Sequence, residues 1–302
     1  MNIIGRKYIF LSFSGILVLA SFVALTVWGL KLGIDFTGGS LLEASFTDAR
    51  PTAEVIREKV NGLGLGNIVV EAAGDRDAIL RFRAVDESGH EEILHALAGL
   101  GGVQEKQFTT IGPTIGRELE NRALVALALA LALIVLYITW AFRHVSRPLS
   151  SWKYGSVAVV VALFHDIIIP TGAFALLGRF AGVEADVLFV TALLTILGFS
   201  VHDTIVVFDR TRENLRNLKK SEPFDQTVNR SVNETLARSL FTSLTVLLVL
   251  AAIFFLGGSS TRSFALTLMI GVFFGTYSSI FIASPLLVMW NNGAKRRRVD
   301  KK

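Results

Sequence analysis

Long apolar stretches separated by short polar ones dominate this chain. Six of them reach the ~20 residues that a helix rising 1.5 Å per residue needs to cross a hydrocarbon core about 30 Å thick. They run over residues 8–30, 123–142, about 155–178, about 185–208, about 236–256 and about 264–290. The first follows Arg6 and Lys7 and has small residues at Ala20 and Ser21, as a secretory signal would. Its apolar run exceeds the roughly 7–15 residues of a signal core, so it reads as an uncleaved anchor.

Between the first two stretches the pattern changes. Residues 40–46 read as a strand, 52–63 as a helix starting beside Pro51, and 67–72 as a β-branched strand. The helix sets Val55, Ile56, Val60 and Leu63 at helical spacing. Gly74-Asp75-Arg76-Asp77 reads as a hairpin turn into a strand over 78–84, where Ile79 and Arg81 break the strict phase. A second helix over 87–100 aligns Ile93, Leu94, Leu97 and Leu100, and 103–111 reads as a last strand. This β-α-β-β-α-β order is ferredoxin-like. The predicted fold class is therefore a membrane α-helical bundle of six transmembrane helices, with a small α+β ferredoxin-like domain between helices 1 and 2. The predicted boundaries are 1–30 for the tail and first helix, 31–120 for the α+β domain, 121–290 for helices 2–6, and 291–302 for a basic tail.

Composition agrees. The chain of 302 residues is 52% hydrophobic and only 18% charged, against about 25% charged in soluble domains. That excludes disorder. The absence of Cys excludes disulfides, iron–sulfur clusters and thiolate metal sites. Residues 31–120 carry 9 Lys/Arg against 15 Asp/Glu, whereas the rest carry 21 against 10. An acidic domain of this kind is not a nucleic-acid binder. The basic residues fall at Arg6 and Lys7, at Arg143, Arg147 and Lys153, and at Arg210, Arg212, Arg216, Lys219, Lys220 and Arg230. A last group occupies the tail from Lys295 to Lys302. Six crossings put all four groups on one side, against only Arg179 and Arg262 in the opposite short loops. By the positive-inside rule both termini are expected in the cytoplasm and the α+β domain outside.

Familiar enzyme motifs are missing. There is no GxxxxGK[ST], HExxH or GxSxG, and His90, His95, His144, His165 and His202 show no metal-ligand spacing. No cofactor or metal is expected, and the chain does not read as an enzyme. Gly62-Leu-Gly64-Leu-Gly66 ends a helix instead of opening one, so it reads as a turn and not a dinucleotide fingerprint. Asn229 and Asn233 match a glycosylation pattern but sit on the cytoplasmic side.

The informative residues are charges inside the spans, each costing about 2.5–3.5 kcal/mol near the bilayer centre on insertion scales. Asp166 lies beside His165 in the third stretch, with Pro170 one turn later. Asp203 lies beside His202 in the fourth, and Arg238 opens the fifth at comparable depth. Arg238 can pair with Asp203 or snorkel to the interface. Either carboxylate can titrate or bond a neighbouring backbone, and sodium is as chemically open as the proton. Gly198 in the fourth stretch and Gly271 and Gly275 in the sixth give small-xxx-small spacing for close helix packing.

At these residues the chain resembles the SecF family of bacterial protein-export subunits, within the wider SecD/SecF group. The matching stretches are Gly33-Ile-Asp-Phe-Thr-Gly-Gly39, Phe164-His-Asp166, Gly198 through Asn214, Asn229 through Ser243, and Gly271 through Pro285. The resemblance implies one half of a transporter bundle of the resistance–nodulation–division (RND) type, with SecD supplying the other half. It implies partners in SecD, the SecYEG channel and YajC, in a bacterial inner membrane. It further implies use of the proton-motive force to promote translocation of preprotein clients after the ATP-driven SecA step. Carried over, functional weight falls on Asp203 and Arg238, with Asp166 a further proton-coupling candidate, and His202 is not expected to be essential. Gly38 and Gly39 are expected hinge or close-packing positions. Two other readings stand beside this one: a proton-driven exporter subunit for small molecules or lipids, and a scaffold without ion coupling.

Overall fold

The computed structural model describes residues 1–143, 160–216 and 222–299, with side chains except at 259–260 and 294–299. The basic positions Arg147, Lys153, Lys219, Lys220, Lys301 and Lys302, and the predicted start of the third span, lie outside them. The chain divides into two units, Leu32–Leu124 and a helical unit of Met1–Lys31 with Val125–Lys302.

In the smaller unit a short helix α2 (Ile34–Thr37) leads into β1 (Gly39–Phe46). Then follow α3 (Ala53–Val60), β2 (Val69–Ala73), β3 (Asp77–Phe82), α4 (Glu87–Ala98) and β4 (Val103–Ile111). The four strands form one antiparallel sheet in the order β2-β3-β1-β4, the ferredoxin-like topology that the sequence predicts. Leu42, Ala44 and Phe46 of β1 and Ala78, Leu80 and Phe82 of β3 point to one face, where Ile56, Val60, Ile93 and Leu97 of the helices cover them. Thr52 and Asp86 start the two helices by accepting from the N–H groups of Val55 and Gly89. Val55, predicted on the apolar face, is instead exposed. In β4 both Val103 and Phe108 pack on the core, five residues apart. Strict alternation cannot place both on one face. The register shifts between Glu43 and Ala44, whose partners are Gln107 and Glu105, so Lys106 is the extra residue of a bulge.

Two glycines hold the entry to this sheet. Gly38 and Gly39 have φ of +74° and +133°. A Cβ would stand 2.8 Å from the Pro113 Cα at Gly38 and 2.8 Å from the Phe82 carbonyl oxygen at Gly39. The predicted turn at Gly64 and Gly66 is present, both with positive φ.

Lys106 is paired with Asp77 across the sheet. The ammonium group holds the Asp77 carboxyl below its ordinary value of 3.8. A carboxyl whose folded-state value is depressed stabilises the fold above its unfolded value and loses that contribution as pH falls through the folded value. Both side chains are partly exposed, so the contribution is small. Lys106→Ala is expected to flatten the acid limb of this unit's unfolding curve below about pH 4, measured by thermal unfolding of the solubilised chain against pH. An unchanged acid limb would show that the pair contributes nothing.

The helical unit contains α1 (Lys7–Val27), the latter part of α5 (Pro113–Ala141), α6 (Val160–Ala181), α7 (Val187–Arg216), α8 (Phe224–Leu256) and α9 (Ser259–Ser278). A π-turn, Ser279–Ala283, then leads into α10 (Ser284–Val299). The six predicted spans are all present as helices long and apolar enough to cross a membrane. They expose Leu129, Leu133, Leu136, Phe241, Leu248 and Phe255, a surface suited to lipid and not to water. The fourth predicted span ends too early and the fifth starts too late. The fourth continues to Arg216 and the fifth begins at Phe224. These polar extensions pair with each other: Asn214 donates to Ser231 and Glu234, and Arg210 meets Glu213 and Glu234. Asn229 accepts from the backbone N–H groups of Ile3 and Ile4 and so anchors the turn ahead of α1. The sixth span is interrupted where Pro285, which lacks an N–H and crowds the carbonyl four residues back, follows the π-turn.

Candidate functional site

Among the described residues, the buried ionisable side chains of the helical unit are His165, Asp166 and Asp203. Glycine contacts bring their helices together. On α9, a Cβ at Gly271 would overlap Ile196 of α7, and one at Gly275 would lie 3.1 Å from the Ser200 Cβ. On α6, a Cβ at Gly172 would overlap Ser21 of α1. Gly198, in contrast, faces open space, with nothing within 4 Å of an added Cβ.

Asp166 is fully buried. Its Oδ1 accepts from His165 Nδ1 at 2.8 Å. Its Oδ2 accepts from Ser278 Oγ of α9 at 2.7 Å and from Ser200 Oγ of α7. Pro170, one turn on, has no N–H to return to the Asp166 carbonyl. Asp203, one turn along α7 from Ser200, accepts from Ser239 Oγ of α8 at 2.8 Å and from Ser279 Oγ of the π-turn at 3.4 Å. Ser243 of α8 and Thr276 of α9 bond each other nearby. The two carboxylates thus sit in one hydroxyl-lined seam, held by adjacent serines at the head of the π-turn. Such turns insert one extra residue into a helix and are frequent at functional sites. Each carboxylate accepts at least two bonds, which offsets part of the cost of keeping a charge in apolar surroundings.

Arg238 does not pair with Asp203. It is exposed, makes no ion pair among the described residues, and lines a cleft of about 430 Å³ with Asp209, Arg210, Glu213 and Glu234. The reason is helical phase. Ser239 points at Asp203, and the preceding residue lies about 100° around the helix axis. His202 is exposed. The sequence reading missed Ser200, Ser239, Ser278 and Ser279 as partners of specific carboxylates, and it missed Gly172. Serine in an apolar helix is too common to stand out. A serine one helical turn from a buried Asp, as Ser200 is from Asp203, marks the polar face of the helix but not its partner, since Ser200 bonds Asp166.

The model for the SecD/SecF protein-export membrane protein C-terminal region matches residues 92–293, and that for the SecD/SecF GG motif matches residues 23–49. The chain is 41% identical to the protein translocase subunit SecF of Thermobaculum terrenum, over 97% of this chain and 94% of that protein. It is 38% identical to the SecF subunit of Anaerolinea thermophila, over 98% and 96%. It superposes with TM-score 0.83 and 35% identity on the crystal structure of SecDF, a translocon-associated membrane protein from Thermus thermophilus, covering 97% of this chain. The chain spans 39% of that SecDF polypeptide. A second SecDF crystal structure, in a super-membrane-facing form, superposes at 0.69 with 34% identity.

Proposed function

The chain belongs to the SecD/SecF protein-export family, and from that membership we propose that it is the SecF subunit of a bacterial protein translocase. In this reading it works with SecD in the inner membrane, beside SecYEG and YajC, and uses the proton-motive force to draw preproteins outward after the SecA step. Both termini lie in the cytoplasm and the ferredoxin-like domain outside, as the basic loops favour. The observation that carries the reading is the burial of Asp166 and Asp203 among apolar helices, each with hydroxyl donors. Ionisable residues inside a membrane span face polar interiors and mark proton or ion paths.

Asp203 takes and releases the proton. While Ser239 points at it, Arg238 stands aside at the open cleft. A rotation of α8 by about one residue, near 100°, exchanges the hydroxyl for the guanidinium. A neighbouring cation favours the ionised carboxylate, so that rotation releases the proton. One charge crossing 100 mV is worth about 2.3 kcal/mol, enough to bias a two-state helix arrangement. Gly38 and Gly39, at the entry to the sheet, serve as close-packing positions, because positive φ and nearby backbone leave no room for a side chain.

Preprotein transport into membrane vesicles tests this, with the chain and its SecD partner present or depleted and a proton or sodium gradient imposed after the ATP-driven phase. Transport that follows the proton gradient only when the chain is present is the expected result. Dependence on sodium alone would replace the ion, and transport indifferent to both gradients would leave the chain a scaffold.

A further inference from the structure

Among the described residues of the helical unit, His165 and its neighbour Asp166 are buried ionisable groups that carry no proton in this scheme. The ring is 2% exposed and sits on α6, with Tyr277 of α9 stacked on it at 6.1 Å and Phe274 edge-on at 6.0 Å. With Asp166 ionised, Nδ1 donates to it, which leaves the lone pair of the neutral ring on Nε2. Nε2 is buried and has no hydrogen-bond partner among the described residues. Tyr277 cannot supply one, because its hydroxyl donates to the Phe10 carbonyl and accepts from Ser14. An acceptor left this way in an apolar interior is costly.

We propose that His165 and Asp166 form a second proton-holding site, which takes its proton on His165 Nε2 and is linked to Asp203 through Ser278 and Ser279. The proposal rests on the proton-driven reading above. With the neutral ring the pair carries one negative charge, on Asp166. One proton on Nε2 gives an imidazolium–carboxylate pair of zero net charge, and no other covalent bond forms or breaks. The groups facing the pair are Ser200 from α7, Ser278 and Tyr277 from α9, and from α1 the uncharged Ser14 beyond Tyr277. Among the described residues, Asp203 is therefore the carboxyl group that this charge can sense, with the Tyr277 phenol the other ionisable neighbour. The link is the serine pair. Ser278 Oγ reaches either Asp166 at 2.7 Å or the Gly275 carbonyl at 3.0 Å, and Ser279 Oγ reaches either Asp203 at 3.4 Å or the Thr276 carbonyl at 3.0 Å. A hydroxyl has one hydrogen, so each serine chooses. A proton on Nε2 leaves Asp166 charged but draws that charge toward the imidazolium, so Ser278 bonds it less strongly and turns to the Gly275 carbonyl. A proton on Asp203 turns Ser279 to the Thr276 carbonyl. Because Ser278 ends α9 where Ser279 opens the π-turn, each serine disturbs the other. Two sites so linked titrate as a pair.

The test uses the full chain in its membrane complex, with His90, His95, His144 and His202 changed to Gln so that His165 is the sole histidine. Nitrogen NMR of the labelled ring is followed against pH. The expected result is a neutral ring protonated on Nδ1 that becomes imidazolium at lower pH, at a midpoint that moves when Ser279→Ala or Asp203→Asn is added. A ring that stays neutral throughout overturns the proposal, as does a midpoint indifferent to both changes. Export gives a second arm. His165→Asn keeps a donor toward Asp166 but cannot be protonated, and it is expected to lose gradient-driven export at normal protein levels. If it exports like the native chain while Asp203→Asn does not, the second site falls and the proposed function stands. If both export normally, both fall.

Discussion

Asp203→Asn is expected to remove the whole gradient-dependent part of preprotein export and to leave the ATP-driven part intact. The substitution is nearly isosteric. The amide oxygen can still accept from Ser239, and the amide nitrogen lies where Oδ2 faces Ser279. Folding should therefore change by less than the ~1–3 kcal/mol that an orphaned buried polar group costs. The charge change is what disappears, because an amide does not titrate. Asp203→Ala separates the two effects. It loses coupling as Asn does, and it also leaves Ser239 without its acceptor, so the solubilised protein should unfold earlier. Export in vesicles with and without an imposed proton gradient, beside a thermal unfolding curve for each variant, reads both quantities. Full gradient-driven export by the Asn variant would remove Asp203 from the mechanism.

The burial of Asp203 and Asp166 was legible in the sequence, because each stands in a long apolar run. The spans were legible for the same reason of contrast, and so were the ferredoxin-like elements, of which β1 and β3 alternate between more and less buried positions. The ends of α7 and α8 were not. Hydropathy falls away after Phe208 and is still low before Leu236, yet Arg210, Asn214, Ser231 and Glu234 satisfy one another and carry both helices on. The position of Arg238 was hidden too. Depth can be read from the chain, but rotation about a helix axis is set by packing, and one residue of phase separates a partner of Asp203 from the wall of the neighbouring cleft. The bulge at Lys106 shows the same limit in the sheet. The odd spacing of Val103 and Phe108 was visible, but only the partner strand shows where the extra residue goes.

Gly172→Leu should do the most damage to the fold, although Gly172 touches neither carboxylate. At that position an added Cβ would lie 2.3 Å from the Ser21 Cβ and 2.5 Å from its Cα. The obstacle includes backbone, so no rotamer change relieves it, and α1 must move off α6. Even Gly172→Ala is expected to cost about 1–3 kcal/mol, the usual range for overpacking a well-fitted contact. Leucine should separate the helices outright and sharply lower the amount of folded protein. The loss reaches the site by a short path. Ser14 of α1 donates to the Tyr277 hydroxyl, which donates back to the Phe10 carbonyl, and the Tyr277 ring lies on His165. With α1 displaced, that wall of the His165–Asp166 pair loses its support. Ser21→Gly removes the Cβ and Oγ that meet the new side chain but leaves the Cα, so it should restore part of the stability lost by Gly172→Ala and little of that lost by Gly172→Leu. A double-mutant cycle on unfolding in mild detergent measures this coupling directly. Additive effects at the two positions, or a stable Gly172→Leu chain, would show that α1 does not rest on α6 in this way.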